Sequence, residues 1–197
     1  MSKQVDFYYD FGSPYTFLAY HQLPVIAARQ GAEIIWKPVL LGGIFQATGN
    51  HSPAEIPLKA EHSEIDLQRW AKKYGVNYAM NPHFPINTLT LMRGATGMQL
   101  RGKREFDTYN AAIFRAMFEE PKNLNDPAQL AAVLGAAGFD GADFMAMVSD
   151  PEIKNLLKKN TEQAVQRKIF GAPSFFVGPE FFWGQDRLDF VEEALAA

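Results

Sequence analysis

Cysteine is absent from all 197 residues. That excludes disulfide staples, thiolate-ligated zinc, iron–sulfur clusters and any thiol nucleophile of the chain's own, so a dithiol oxidoreductase has nothing to work with. Charge is scarce too: charged residues are 21% of the chain, and 19 Lys+Arg against 22 Asp+Glu leave a net charge of −3. No basic stripe exists for a phosphate backbone, and no nucleic-acid partner is expected. No apolar run reaches the ~20 residues that span a bilayer. Met1-Ser2-Lys3-Gln4-Val5-Asp6 holds no apolar signal core, so no membrane partner is expected and the cytoplasm is the expected location. Only four histidines occur, His21, His51, His62 and His83. None shows two-His helical spacing, and no metal site is expected. Gly42-Gly43 lacks the Lys-Ser/Thr of a phosphate loop, and Gly-x-Ser-x-Gly does not occur, which leaves a hydrolase triad without support. Aromatic side chains are abundant: 16 Phe, 7 Tyr and 3 Trp make up 13% of the chain, enough to fill a core or line a pocket.

Residues 4–10 alternate, with Val5, Phe7 and Tyr9 on one face, and predict a strand. Ser13-Pro14 fits a cap and first helical position, and a helix follows from Tyr15 to Gln30 with Gly31 as its stop and Pro24 as a predicted kink or break. Residues 32–39 predict a second strand, which completes a β-α-β unit with parallel strands. From Leu40 to Lys168 only helical patterns recur. Ser63 to Tyr74 predicts a helix with Ile65, Leu67, Trp70 and Ala71 on its inward face, and Phe106, Tyr109, Ile113 and Met117 mark that of another. Asn125-Asp126-Pro127 and Ser149-Asp150-Pro151 mark helix starts, and residues 77–85 read as irregular. Ser174 to Val177 and Phe181 to Trp183 predict an antiparallel pair joined by a short turn. A last helix, Arg187 to Ala197, is capped by Asp186. The order is β-α-β, a helical block, then β-β-α. That predicts an α/β fold in which a thioredoxin-like domain (residues 1–40 and 169–197) carries an all-helical insertion (residues 41–168).

Three places are candidates for chemistry. Ser13 sits where the first strand feeds the first helix, the end at which α/β folds gather ligands, with Tyr8, Tyr9, Phe11 and Tyr15 expected to wall it. The dull reading of Ser13 is a helix cap. Pro173, at the start of a strand, is allowed in any fold; in the thioredoxin arrangement the proline at this place is cis and faces the first helix, which would free the backbone N–H and C=O of Ala172 for an extended peptide ligand. Gly184-Gln185-Asp186-Arg187 reads either as a turn with a cap or as a clamp. In the clamp, free N–H groups hold a carboxylate and Asp186 takes an amine. Asp66 and Arg69, three apart on a charged helix face, read as a surface ion pair.

Tyr9-Asp10-Phe11-Gly12-Ser13-Pro14-Tyr15, Gly49-Asn50, Asp66-Leu67-Gln68-Arg69-Trp70, Phe170-Gly171-Ala172-Pro173-Ser174-Phe175 and Phe182-Trp183-Gly184-Gln185-Asp186-Arg187-Leu188 together resemble the 2-hydroxychromene-2-carboxylate isomerases, DsbA-like relatives of the kappa-class glutathione transferases. The resemblance spans essentially the whole chain. It implies a homodimer, glutathione as cofactor and a small aromatic keto acid as substrate. The implied reaction interconverts 2-hydroxychromene-2-carboxylate and trans-o-hydroxybenzylidenepyruvate in naphthalene-type degradation. It also implies that Ser13 is catalytic, beside the glutathione sulfur, and that Asn50, Lys59, Ala172, Pro173, Gln185 and Asp186 bind glutathione. A helix end and a hydroxyl would lower the pKa of a thiol from its free value of about 8.5. Two other readings stay open: a kappa-type transferase or peroxidase with the same site, and a thioredoxin-like peptide-binding module without turnover.

Overall fold

A computed structural model describes residues 3–197. Strand β1 (Gln4–Tyr9) pairs in parallel with β2 (Glu33–Pro38) and antiparallel with β3 (Ser174–Val177), which pairs antiparallel with β4 (Glu180–Trp183). The sheet order is β2-β1-β3-β4. Helix α1 (Pro14–Gln30) links β1 to β2, and α9 (Leu188–Ala196) closes the chain. Between β2 and β3 the chain is helical: α2 (Leu41–Thr48), α3 (Pro57–Tyr74), α4 (Leu89–Arg101), α5 (Lys103–Phe118), α6 (Pro127–Ala136), α7 (Gly141–Ser149) and α8 (Pro151–Gln166). The fold is thus a thioredoxin-like α/β fold with a helical insertion. Among the described residues no single helix is long and apolar enough to cross a membrane.

Alternation in β1 divides the apolar side chains between two faces. Val5, Phe7 and Tyr9 enter the main core with Phe17, Leu18, Phe114, Phe175 and Leu188. Phe7 stacks on Phe175 at 5.2 Å. Tyr8 points the other way, into a smaller cluster with Val39, Ile44, Ala164, Ile169 and Phe176. Arg167, at the end of α8, crosses this second face. It donates to Asp6 and to the Tyr8 hydroxyl at 2.6 Å each, and its guanidinium lies 3.6 Å over the Phe176 ring.

Several sequence expectations change. Pro24 does not split α1, which runs unbroken from Pro14 to Gln30. Its neighbours Leu23, Ile26 and Ala27 are buried, and that packing holds the helix across the missing N–H. Helix α3 starts at Pro57, ahead of Ser63. Ile65 is exposed on it, because the face that meets α1 is set by Leu67 and Ala71, with Trp70 at its margin. Asp126 and Asp150 cap α6 and α8. Asp186 does not cap the last helix: it lies inside a 3-10 turn, Gln185–Arg187, and Arg187 precedes α9 without a side-chain cap bond.

The register explains where ligands can gather. Tyr9, at the end of β1, leads into α1, and Pro38, at the end of β2, leads into α2. Because β3 runs the other way, its first residue Ser174 lies beside Tyr8. Trp183, the last residue of β4, lies beside Ser174. The α1 tip, the Ala172-Pro173 approach and the Gly184–Arg187 turn therefore meet at one end of the sheet.

A candidate active site at the tip of the first helix

Ser13 caps α1. Its Oγ accepts from the Thr16 N–H at 3.1 Å and donates to the Ala172 carbonyl at 3.0 Å. The residue is 6% exposed. The Phe17 N–H bonds the Ser13 carbonyl, and Pro14 has no N–H to offer. The Tyr15 N–H has no acceptor among the described residues, so the positive end of the helix dipole concentrates beside the Ser13 hydroxyl.

The strand approach opposite is held just as firmly. The Ala172–Pro173 peptide is cis. The Ala172 N–H lacks an acceptor among the described residues, while its carbonyl takes the Ser13 hydroxyl. Asn50 donates to the Phe170 carbonyl at 2.8 Å and accepts the His51 N–H at 2.9 Å, which ties the chain after α2 to this approach. Gly171 has no spare volume: a Cβ there would lie 2.6 Å from Trp183 Nε1. The Trp183 ring rests 5.0 Å from that of Phe170.

The turn before α9 docks on the same approach through the Gly184 N–H, 3.0 Å from the Pro173 carbonyl. Gly184 has φ 101°, a conformation that side chains resist. Gln185 is 1% exposed and fixed by the Tyr74 hydroxyl, which donates to its Oε1 at 2.9 Å. Asp186 points outward, its side chain 45% exposed, and accepts from Arg187 at 2.6 Å. The N–H groups of Gln185 and Asp186 have no acceptor among the described residues. An exposed carboxylate beside two unpaired N–H groups is chemically able to hold an ammonium and a carboxylate together.

Tyr15 joins these parts to α3. Its hydroxyl donates to Asp66 at 3.1 Å. Burial pushes the phenol up to about 12, the Ser63 hydroxyl pulls it back, and the Asp66 and Asp186 carboxylates raise it. Asp66 thus serves Tyr15, and Arg69 forms no ion pair among the described residues, contrary to the surface pair expected. The expected aromatic wall also shrinks. Alternation along β1 sends Tyr9 into the main core, where it is wholly buried, and Tyr8 into the second cluster, and Phe11 in the turn beyond is wholly buried in the main core too. Tyr15 alone of the four borders the tip with a half-buried ring.

Ser13, Ala172 and Pro173 are thus in one assembly, with Asn50 and Gln185 behind it as braces and Asp186 at its edge. Lys59 is exposed on the first turn of α3, and its side chain makes no hydrogen bond or ion pair to a described residue. One residue of the assembly escaped sequence reading. Asp10, with no exposed surface, accepts the N–H groups of Gly12 at 2.8 Å and of Leu41 at 2.7 Å. An acidic residue directly after an apolar strand and two positions before a glycine was its available signal.

Comparison with known proteins agrees with this architecture. Residues 4–196 match the DSBA-like thioredoxin domain family. A protein of Sphingobium xenophagum named 2-hydroxychromene-2-carboxylate isomerase is 32% identical over 197 residues, covering 99% of each chain. A Caenorhabditis elegans protein named glutathione S-transferase kappa 2 is 26% identical, over 98% of this chain and 92% of that one. The solved structure of a 2-hydroxychromene-2-carboxylate isomerase superposes with a TM-score of 0.83 at 29% identity, covering 98% of this chain and 94% of that one. The chain belongs to the DSBA-like thioredoxin domain family, in the group of the 2-hydroxychromene-2-carboxylate isomerases and their kappa-class glutathione transferase relatives.

Proposed function

We propose that the protein is a glutathione-dependent isomerase that interconverts 2-hydroxychromene-2-carboxylate and trans-o-hydroxybenzylidenepyruvate. The observation that carries the reading is the Ser13 hydroxyl at the α1 tip, opposite Ala172, in a chain with no sulfhydryl of its own. The names of the similar proteins support it. The residues suit glutathione: a half-exposed Ala172 with an unpaired N–H can align a peptide, and Asp186 with the Gln185 and Asp186 N–H groups can take the α-amino and α-carboxylate groups of its γ-glutamyl end. Bound there, glutathione would supply a thiolate that adds reversibly to the double bond conjugated with the keto acid, so that the bond turns before the sulfur leaves.

The chain's own part is to bind and to hold charge. The Ser13 hydroxyl turns its proton from the Ala172 carbonyl toward the sulfur, a better acceptor once anionic. The Tyr15 N–H adds a second donor with the helix dipole behind it. The Tyr15 phenol stays protonated through neutral pH and keeps Asp66 occupied. A serine suits this task better than a cysteine, since it donates a hydrogen bond without trapping glutathione as a mixed disulfide. The homodimer belongs to the same proposal and is checked by light scattering.

Two measurements test the reading. Calorimetry with reduced glutathione is expected to show micromolar-to-millimolar binding, weakened by S-methylation and by Asp186→Ala. No heat at millimolar ligand would leave a peptide-binding module as the answer. A spectrophotometric isomerase assay beside a conjugation assay separates the other reading, which the kappa-class similarity favours. Robust conjugation with no conversion of the chromene would make the protein a kappa-type transferase.

A further inference from the structure

Asp10 is a buried carboxylate that the proposed chemistry leaves unused. Two backbone donors from separate segments converge on it, one on each oxygen: the Gly12 N–H of the turn into α1 and the Leu41 N–H at the start of α2. Burial raises its pKa, and the Leu41 and Gly12 N–H groups, with the nearby Thr88 side chain before α4, pull it back. A carboxyl group whose two oxygens each accept an N–H is served as an acceptor, the role of the ionised form. It forms no ion pair with a described residue.

Its place is directly behind the helix tip. The Ser13 N–H bonds the Asp10 carbonyl at 3.2 Å, and a Cβ on Gly12 would lie 3.3 Å from Asp10 Oδ1 and from the Thr88 methyl. The titratable groups nearby bring no positive charge. From β1 comes the buried Tyr9 phenol, bonded to Asn110, which the Asp10 charge helps to push upward. Tyr15 follows the tip, with Asp66 on α3 and Asp186 before α9 acting on it. Leu41 and Thr88, from the α2 and α4 sides, supply only uncharged groups. A negative charge therefore stands behind the positive end of α1, close to where a thiolate would sit.

We propose that Asp10 is a positioning residue that sets how readily a thiol held at the α1 tip ionises: it fixes the turn that carries the Ser13 hydroxyl, and its charge opposes the pull of the helix end on a thiolate. The inference rests on the glutathione reading above. It gives the opposition a purpose. A thiolate held too stably is a poor nucleophile, because nucleophilicity falls as thiol pKa falls. A sulfur that must add and then leave works best with its basicity kept between extremes.

The test is an ultraviolet titration of the thiolate band of glutathione bound to the protein. Asp10→Asn keeps the shape and removes the charge. Its bound thiol is expected to titrate about one to two units lower than in the wild type, the size of a unit charge acting across roughly 5–10 Å of protein at an effective dielectric near 20. The acid limb of the turnover profile is expected to move the same way. An equal or higher thiol pKa in Asp10→Asn overturns the inference and leaves Asp10 a structural clasp. If the wild type shows no thiolate band, the glutathione reading falls and this inference with it. A measurement on the unmodified protein serves if the variant fails to fold: with carbon-13-labelled aspartate, the Asp10 carboxyl is expected to titrate higher when glutathione is bound as thiolate, since coupled charges shift each other reciprocally. An Asp10 titration indifferent to glutathione also overturns the inference.

Discussion

In the proposed mechanism Ser13 has two duties, and one substitution removes both with separate readouts. In Ser13→Ala the cap on Thr16 is lost, with an expected cost of about 1 kcal/mol in denaturant unfolding. Loss of the donor to the thiolate is expected to lower turnover by one to about three orders of magnitude, read as kcat/KM under the isomerase assay. Turnover that falls no further than the stability would make Ser13 a cap alone. His21 supports a prediction of a different kind. Burial lowers its pKa, the Glu119 carboxylate 3.5 Å away partly offsets this, and its Nε2 has no hydrogen-bond partner among the described residues. A depressed histidine favours the fold while neutral. That stability is fully present above the unfolded-state pKa of about 6.5 and is lost as pH falls through the folded value. His21→Phe is therefore expected to flatten the fall of Tm between neutral and mildly acidic pH. At this scale the sequence showed residues whose role is local. Ser13 before Pro14 and Asp126 before Pro127 announce their bonds through adjacent neighbours. Asp10 does not, because one of its two backbone donors, Leu41, lies 31 positions away.

Among the helices, close approach is set by glycine. A Cβ at Gly94 of α4 would lie 2.2 Å from the Tyr109 hydroxyl and 2.8 Å from Phe144 Cε2, and one at Gly97 would lie 2.5 Å from Met147 Sδ. Tyr109 is locked by its bond to the Leu91 carbonyl at 2.8 Å, whereas methionine adapts. Gly94→Ala is expected to destabilise by about 1–3 kcal/mol and Gly97→Ala by less, measured as the midpoint in urea. The reverse ranking would place the tight contact in α7 rather than α5. Period and punctuation made β1, β3, α1, α5, α6 and α8 legible. Helix α2 was not, since Leu41–Thr48 is short and opens on Gly42-Gly43, so its helicity comes from Ile44 packing into the cluster around Tyr8. Pro24 misled for the converse reason: a local breaker was overruled by buried neighbours.

For the molecule as a whole, the division into residues 1–40 with 169–197 and residues 41–168 is a proposal about descent and packing, and it makes a claim about cooperativity. One core runs through both parts: Tyr9 donates to Asn110 at 3.0 Å, and Phe114 packs on Phe11 at 4.7 Å and on Tyr20 at 4.6 Å. Unfolding is therefore expected as a single transition, with far-ultraviolet circular dichroism and tryptophan fluorescence coincident. Two separated midpoints would mean that the insertion folds alone. A bond across 159 positions of sequence, from the Ser13 hydroxyl to the Ala172 carbonyl, has its own consequence. That hydroxyl owns one proton and faces two claimants. A charged sulfur outbids a neutral carbonyl, while a capped thioether does not. In the proposed mechanism the clasp between Ser13 and Ala172 would therefore reopen for a free anion and stay shut against an alkylated one, so that the protein would loosen its hold on the sulfur while the carbon–sulfur bond exists and regain it when that bond breaks.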